Sequence, residues 1–537
     1  MYLNMRFTKK LFSLLLILCL LLTAVPMAFT AAAETVYYPN VHLRGNGAEI
    51  IDEDGNVVYD FDVSMDQVKA IAKRVLPLLL KNDLDAYYRA FGEEMAKLYD
   101  RALLDENGEP KYGTNVSAKL LQDNEVAMTQ NRVRGNGSYA TNAYTFWYDW
   151  RLDPLKTADD LAVYIDGILA ATGKDKINLN SVCLGSTILL AYLSKYGSDK
   201  LNAVGFQHAV GFGCELVDET FSGKINIDAD AVERFEGDYF VADLLKENEI
   251  LKTFLDETVA LLQASGGLDR LTTAFMRGLY DKLYEGLAPE LALSTFATWP
   301  SYWSMVTAEH YQSTKTFLFG EPGSERYEKY AGLIEKLDNY DAAVRQQIVP
   351  LIANAKNNGA KLVIVARYGL QMPPLYESSD ENGDVWVTAR YASLGATTAK
   401  VNETLPAEYI ARRTALGFGK YVSPDRMIDA STCAFPDNTW FIKGAIHNDV
   451  VLGVDTLYDN AFNTTDDVTV DTYDAYPQFL VYDRASHTYA PMTEDNCHTE
   501  SFPVDAEEPG FFARIGAFFR HLIPWLRSLF ALLKTLG

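Results

Sequence analysis

The chain has 537 residues, enough to bury a large core in one elaborated domain or two. Its 48 basic and 72 acidic residues leave a formal net charge of −24. Phosphate binding needs clustered Lys and Arg, so this balance excludes nucleic acid as a partner. No Cys/His spacing has the form of a zinc site, and no metal or organic cofactor is indicated.

In chain order, residues 1–33 read as a signal peptide, which predicts an exported chain, secreted or at the cell surface. Arg6, Lys9 and Lys10 form its basic region, Leu11 to Ala24 its apolar region, and Ala31-Ala32-Ala33 a small-residue cleavage site. The apolar stretch is short for a membrane span. Four cysteines follow the cleavage site, Cys183, Cys214, Cys433 and Cys497, and in an exported chain these could pair.

Val36 to Leu43 reads as a strand running into Arg44-Gly45-Asn46-Gly47, and Asp54-Gly55-Asn56 as a hairpin or loop tip. Residues 65–104 carry helical periodicity, with Val68, Ile71, Val75, Leu78 and Leu79 on one face. Residues 105–143 are polar and Gly/Asn-rich and suggest a long surface excursion. An aromatic strand follows from Tyr144 to Leu152, ending in Tyr148-Asp149-Trp150-Arg151. Apolar residues then recur at helical spacing from Thr157 to Ala171 (Leu161, Tyr164, Ile165, Ile168, Leu169).

Ile177 to Leu179 is a short apolar run that reads as a buried strand. Small residues and a turn, Ser181-Val182-Cys183-Leu184-Gly185-Ser186, lead into an apolar helix over Thr187–Leu193. Strand, tight turn and helix are the parts of a nucleophile elbow, whose sharpness requires small residues two before and two after the nucleophile. The pattern here is Ser181-x-Cys183-x-Gly185, with cysteine at the nucleophile position. The competing reading is a buried structural cysteine, since free cysteine packs as a small hydrophobe.

Leu201 to Phe206 predicts the next parallel strand. Between residues 226 and 356 the rhythm turns helical (roughly 239–263, 268–287 and 325–356), which predicts a cap or lid inserted in the sheet. Trp299-Pro300-Ser301-Tyr302-Trp303 lies within it, as packing or as lining for an apolar substrate. Sheet rhythm resumes at Lys361–Ala366, followed by Tyr368-Gly369, an acidic loop with Asp380 and Gly383-Asp384, and Val385 to Thr388. Thr439–Lys443 is a further strand, with His447 just beyond it. Alternating strands and helices predict an α/β fold with a mostly parallel sheet flanked by helices.

Cysteine attacks as the thiolate, which a neighbouring imidazole can generate and a carboxylate can orient. Ligands of open parallel sheets bind beyond the carboxyl ends of the strands. Cys183, Asp384 and His447 all follow strand ends. His447 is the preferred imidazole, because His487 and His498 lie in polar sequence, His310 in the helical insertion, and His208 can be a core residue. Asp384 is the first choice of acid, with Asp429 and Asp380 as alternatives.

Four pieces resemble the lecithin:cholesterol acyltransferase and secreted lipase branch of the alpha/beta hydrolases. They are the strand into Gly45-Asn46-Gly47, the Tyr148-Asp149-Trp150-Arg151 segment, the elbow, and Tyr368-Gly369 with Gly383-Asp384-x-x-Val387. The similarity covers about residues 36–225 and 360–450. It implies an alpha/beta-hydrolase fold and cleavage or transfer of acyl esters of lipids through a triad. The family's serine maps to Cys183, its acid to Asp384 and its histidine to His447. Backbone N–H groups of Leu184 and Asn46 would form the oxyanion hole. Cys183 and Ser181 depart from the family pattern. A cysteine elbow is also similar to those of dienelactone hydrolases and polyhydroxyalkanoate synthases, which keeps a polymerising acyltransferase as an alternative. A non-catalytic binding protein on the same scaffold is another.

The expected organisation is thus a first core part at 34–225, a cap at 226–356, a second core part at 357–503 and a tail at 504–537. After the acidic linker Val504–Pro509, Arg514, Arg520, Arg527 and Lys534 form a narrow basic stripe on an apolar helix that Pro524 would kink. Such a segment suits the interface of an anionic membrane, lying in its plane, and makes a membrane surface a candidate partner.

Overall fold

A computed structural model of the chain describes residues 37–497, apart from 47, 59–69, 72, 76, 79–82, 135–140, 225, 227–228, 237–263, 265, 267–287, 375, 450, 452–453 and 465–466. The signal peptide, Gly47, the expected helices 239–263 and 268–287, His498 and the tail 504–537 lie outside the described residues.

An eight-stranded sheet runs through the molecule. Its strands are β1 (Asn40–Leu43), β2 (Ala143–Phe146), β3 (Ile177–Val182), β4 (Leu201–Gln207), β5 (Lys361–Tyr368), β6 (Thr439–Lys443), β7 (Phe479–Asp483) and β8 (Thr488–Pro491). Their spatial order is β8-β7-β6-β5-β4-β3-β1-β2. All neighbours are parallel except β7 and β8. The α/β class expected from the sequence is therefore present.

The strand order decides where chemistry can happen. From β1 the chain first moves to the edge strand β2, then returns to build β3 on the other side of β1. The β1/β3 junction is thus a topological switch point, where the loops leaving two adjacent strands diverge and open a crevice. Leu43 pairs with Ser181 across that junction, so the residues that follow these strand ends, Gly45 and Cys183, meet there.

Buried strands need apolar cover on both faces. The helix Pro154–Thr172 supplies part of it. Asp153 caps its N-terminus by accepting from the Leu155 N–H at 2.9 Å, and Gly173 ends it in a left-handed conformation. Its face of Leu161, Ile165 and Ile168 is fully buried while Val163 is exposed. Each such buried side chain contributes ~1.5–3 kcal/mol. The elbow helix Gly185–Tyr196 is buried from Gly185 to Leu193. It packs against Pro154–Thr172, Ala331–Ala343 and Ile348–Asn357, which is why its sequence is apolar all round.

Several expected elements take a different form. The polar stretch 105–143 holds a short strand, Asn115–Val116, and a helix, Ala118–Ala127. The helical pattern of 65–104 is present at 70–71, 73–75 and 77–78 and over Leu84–Tyr99, the other residues of 65–82 lying outside the described ones. The aromatic strand stops at Phe146, because Trp147 to Arg151 turn inward to side-chain partners described below. The segment 325–356 is broken into Glu325–Lys329, Ala331–Ala343, a 3₁₀ turn at Arg345–Gln347 and Ile348–Asn357. The break turns Arg345 inward, where its guanidinium donates to the carbonyls of Trp303 (2.6 Å) and Val306 (2.8 Å). Ser194 of the elbow helix donates to the Ala343 carbonyl at 2.8 Å, so the end of the helical insertion forms a layer of the core.

Trp299 and Trp303 are fully buried, and their indole N–H groups donate to the carbonyls of Ala102 and Ala297. These two aromatics are packing residues. No described helix is long and apolar enough to cross a membrane.

Candidate active site

The elbow forms because each residue of the turn meets a steric demand. Cys183 sits at φ +53°, a left-handed conformation that costs a non-glycine residue ~1–2 kcal/mol. Hydrogen bonds hold it there. The Cys183 N–H donates to the Gln207 carbonyl at 3.1 Å, and its own carbonyl accepts from the Ser186 N–H (3.1 Å) and hydroxyl (2.6 Å). A Cβ on Gly185 would stand 2.2 Å from the Leu43 carbonyl oxygen, so only glycine fits. Ser181, the departure from the usual glycine, is tolerated because its buried hydroxyl donates to the Gly205 carbonyl at 3.0 Å. The bonds of the turn use the N–H groups of Cys183, Ser186 and Thr187. Those of Leu184 and Gly185 stand at a helix N-terminus, where backbone donors lack intrahelical partners.

Across the switch point, a Cβ on Gly45 would lie 3.1 Å from Cys183 Cβ and 3.3 Å from its Sγ. The loop after β1 therefore touches the thiol. Tyr148-Asp149-Trp150-Arg151 holds that loop in place. The Tyr148 hydroxyl donates to the Arg44 carbonyl, and the Trp150 indole N–H to the Ala48 carbonyl at 3.0 Å. Burial, and secondarily Cys183, raise the Tyr148 phenol well above its usual range, so this donor keeps its proton. Arg151 is fully buried, donates through Nε and Nη2 to Asp149, and also reaches the Ala102 carbonyl and the Thr114 hydroxyl. The segment is a clasp that fastens the 44–48 loop at both ends. Asn46 is half-buried, and its side-chain amide donates to the Tyr302 hydroxyl at 3.2 Å.

His447 follows β6, and its Nδ1 lies 2.8 Å from Asp384 Oδ2 with both residues buried. The pair is bonded twice, since the His447 N–H also donates to the Asp384 carbonyl at 3.0 Å. The other carboxylate oxygen of Asp384 accepts from the N–H groups of Trp386 (3.0 Å) and Val387 (2.9 Å). Burial alone would depress the imidazole. The Asp384 charge, then Cys183, outweigh it and raise His447 to about 10. The remaining ring nitrogen, Nε2, is buried and has no hydrogen-bond partner at rest, while Cys183 is near enough to favour the charged form of the ring. Such bonds are commonly loose before substrate arrives. A half-buried free thiol thus stands beside an imidazole whose charged form Asp384 favours.

The other two carboxylates are held elsewhere. Asp380 pairs with Lys400. Asp429 accepts from Arg413 Nε at 2.8 Å and from the Tyr409 hydroxyl at 2.9 Å. Neither contacts His447. His310 lies against Asp218 and within 2.9 Å of Lys224 Nζ, and His487 bonds the Tyr482 hydroxyl. The four described cysteines are all free, with Cys214, Cys433 and Cys497 buried.

Two residues of this neighbourhood had no assigned role in the sequence. Arg367, one residue from the end of β5, donates to the carbonyls of Ile446, His447 (2.9 Å) and Asp449 (3.0 Å), fixing the backbone behind the imidazole. A fully buried charge inside Val-Ile-Val-Ala-Arg-Tyr was the available signal, because arginine is almost never buried without a partner. His208 packs edge-on against His447, ring centroids 4.4 Å apart. Burial, Arg367 and His447 hold it well below the usual histidine range, so it stays neutral. Cys183, His208 (φ +35°) and Val385 (φ +82°) all carry left-handed backbone, and such strain persists where surrounding structure over-determines it. Among the described residues no group of His, Cys, Asp and Glu could hold a metal ion.

No protein-family model matches this chain, and no curated protein matches it. The geometry therefore stands on its own.

Proposed function

We propose that the protein is an exported alpha/beta hydrolase that cleaves or transfers acyl esters through a covalent acyl-Cys183 intermediate. The observation that carries this reading is the doubly bonded Asp384–His447 pair beside a left-handed, half-buried Cys183 at the sheet's switch point. Chain order adds support, since nucleophile, acid and histidine follow one another as in that fold. Residues 1–33 support export, and residues 510–537 support docking on an anionic membrane, both from composition.

In the proposed reaction the Cys183 thiolate attacks the ester carbonyl, forming a C–S bond and an oxyanion. The Leu184 N–H, at the start of the elbow helix, and the Asn46 N–H, in the clasped loop, would stabilise that oxyanion. As the tetrahedral centre collapses, the C–O bond breaks and His447 Nε2 delivers its proton to the departing alcohol. Water or a second alcohol then attacks the thioester while His447 takes its proton. The C–S bond breaks, the thiolate returns, and a carboxylic acid or a new ester leaves. Asp384 orients the imidazole and favours its charged form throughout.

Intact-mass measurement after incubation with short- and long-chain p-nitrophenyl esters tests this. The expected result is an acyl adduct with nitrophenol release in the wild type, and neither in Cys183→Ala. An adduct that persists until an alcohol is added marks a transferase. Absence of adduct and release with every ester overturns the reading in favour of a binding protein.

A further inference from the structure

Trp386 stands beside both members of the Asp384–His447 pair, its N–H on the carboxylate and its ring near the imidazole. Asp384 and Val387 bracket it in a tight turn, with the Asp384 N–H donating to the Val387 carbonyl at 3.2 Å and Gly383 bridged to Thr388. The backbone of Trp386 is fixed at both ends. Its N–H donates to Asp384 Oδ1 at 3.0 Å, and its carbonyl accepts from the Cys214 thiol at 3.1 Å. The preceding residue, Val385, is buried and left-handed at φ +82°, a conformation most unfavourable for a β-branched side chain. The turn therefore carries strain, and the side chain it presents is an indole that is 36% exposed.

Lone exposed apolar side chains are ordinary on protein surfaces, so what matters for this indole is its position. Its ring centroid is 6.3 Å from that of His447, at an interplanar angle of 46°. The other ring against His447, His208, is fully buried and unavailable to a ligand. In the proposed reaction the departing alcohol, or an incoming acceptor, hydrogen-bonds to His447, and an exposed ring 6.3 Å from the imidazole is within reach of a group attached to that oxygen.

We infer that Trp386 is a specificity residue, a stacking platform for the alcohol portion of the substrate, and that it selects alcohols bearing a flat ring. This rests on the acyl-transfer reading above. The indole offers a flat, largely apolar face, so the class is an aryl or fused-ring alcohol esterified at its hydroxyl. The acyl half is not selected by this residue.

Esters sharing one acyl group, with ethyl, cyclohexylmethyl, benzyl and 2-naphthylmethyl leaving groups, test the platform. In the wild type kcat/KM is expected to rise along that series, with benzyl favoured over cyclohexylmethyl by about 3- to 10-fold, the size of one stacking contact. Trp386→Phe should keep the benzyl-to-cyclohexylmethyl ratio, whereas Trp386→Leu, which fills space without a flat face, should bring it to about one. The ratio is internal to each variant, so a partial loss of folding does not mimic the effect. Binding of free 2-naphthylmethanol by calorimetry, to the wild type and Trp386→Leu, separates the two readings. Selective binding without turnover of any ester leaves the platform standing and overturns acyl transfer. Turnover with no preference for flat rings, or a preference that survives in Trp386→Leu, overturns the platform and leaves acyl transfer standing.

Discussion

Replacing Arg367 with methionine tests whether a buried cation holds the histidine loop in register. The guanidinium donates to three carbonyls, those of Ile446, His447 and Asp449. Methionine has comparable reach and no donor. Each buried carbonyl left without a partner costs ~1–3 kcal/mol. Against this, burial already depresses the Arg367 pKa, so removing the cation recovers part of its desolvation cost. The low end of the range therefore applies, and the net loss is expected to be about 2–4 kcal/mol, read as a lower urea midpoint. A second readout separates positioning from plain stability. With the loop displaced, His447 no longer faces Cys183, and the rate of Cys183 alkylation by iodoacetamide should rise only at higher pH than in the wild type. Arg367→Lys, which restores one point charge, should recover part of that shift. A loss of stability under about 0.5 kcal/mol, or a destabilised variant whose alkylation profile is unmoved, would refute the reasoning.

Asp384→Asn should cut turnover and Cys183 alkylation at neutral pH about 100-fold or more, while Asp380→Asn, which only breaks the Lys400 pair, should leave both unchanged. The pH dependence of stability follows from the same pair. His447 is raised from 6.5 to about 10 on folding, so its stabilisation is complete below pH ~6.5 and is lost as pH rises towards 10; urea midpoints across that window should fall in the wild type and stay flatter in Asp384→Asn. Glu215 is buried and raised from 4.5 to about 7, so the folded carboxyl binds a proton that the unfolded one has lost between those values. Stability then falls across that interval, and Glu215→Gln should gain up to about 3 kcal/mol at pH 8 relative to pH 4. Gly185→Ala places a methyl 2.2 Å from the Leu43 carbonyl oxygen and should abolish Cys183 reactivity. Ser181→Gly loses only the hydroxyl bond to Gly205, about 1 kcal/mol, with reactivity kept. Deleting residues 510–537 should move the protein from anionic vesicles to solution in a sedimentation assay; unchanged partitioning rules that segment out as the anchor.

Local chemistry decided much of this protein from its sequence alone. The alternation of strands and helices required a parallel sheet. The spacing Ser181-x-Cys183-x-Gly185 required a sharp turn between a buried strand and a buried helix, because those are constraints on neighbouring residues. His447 could be placed just past a strand end for the same reason. The choice among Asp380, Asp384 and Asp429 was of another kind. All three lie in stretches that the sequence reads as loops, and only the packing of the 382–388 turn against the segment after β6 brings Asp384 to His447. The Tyr148–Arg151 segment was recognisable as unusual, yet its role as a clasp depends on β1 lying between β2 and β3. Arg367, His208 and Trp386 gained meaning only from the partners that strand order put beside them. That order is set by long-range pairing between residues up to 158 apart, such as Ala203 and Lys361, and no periodicity within a single segment records it.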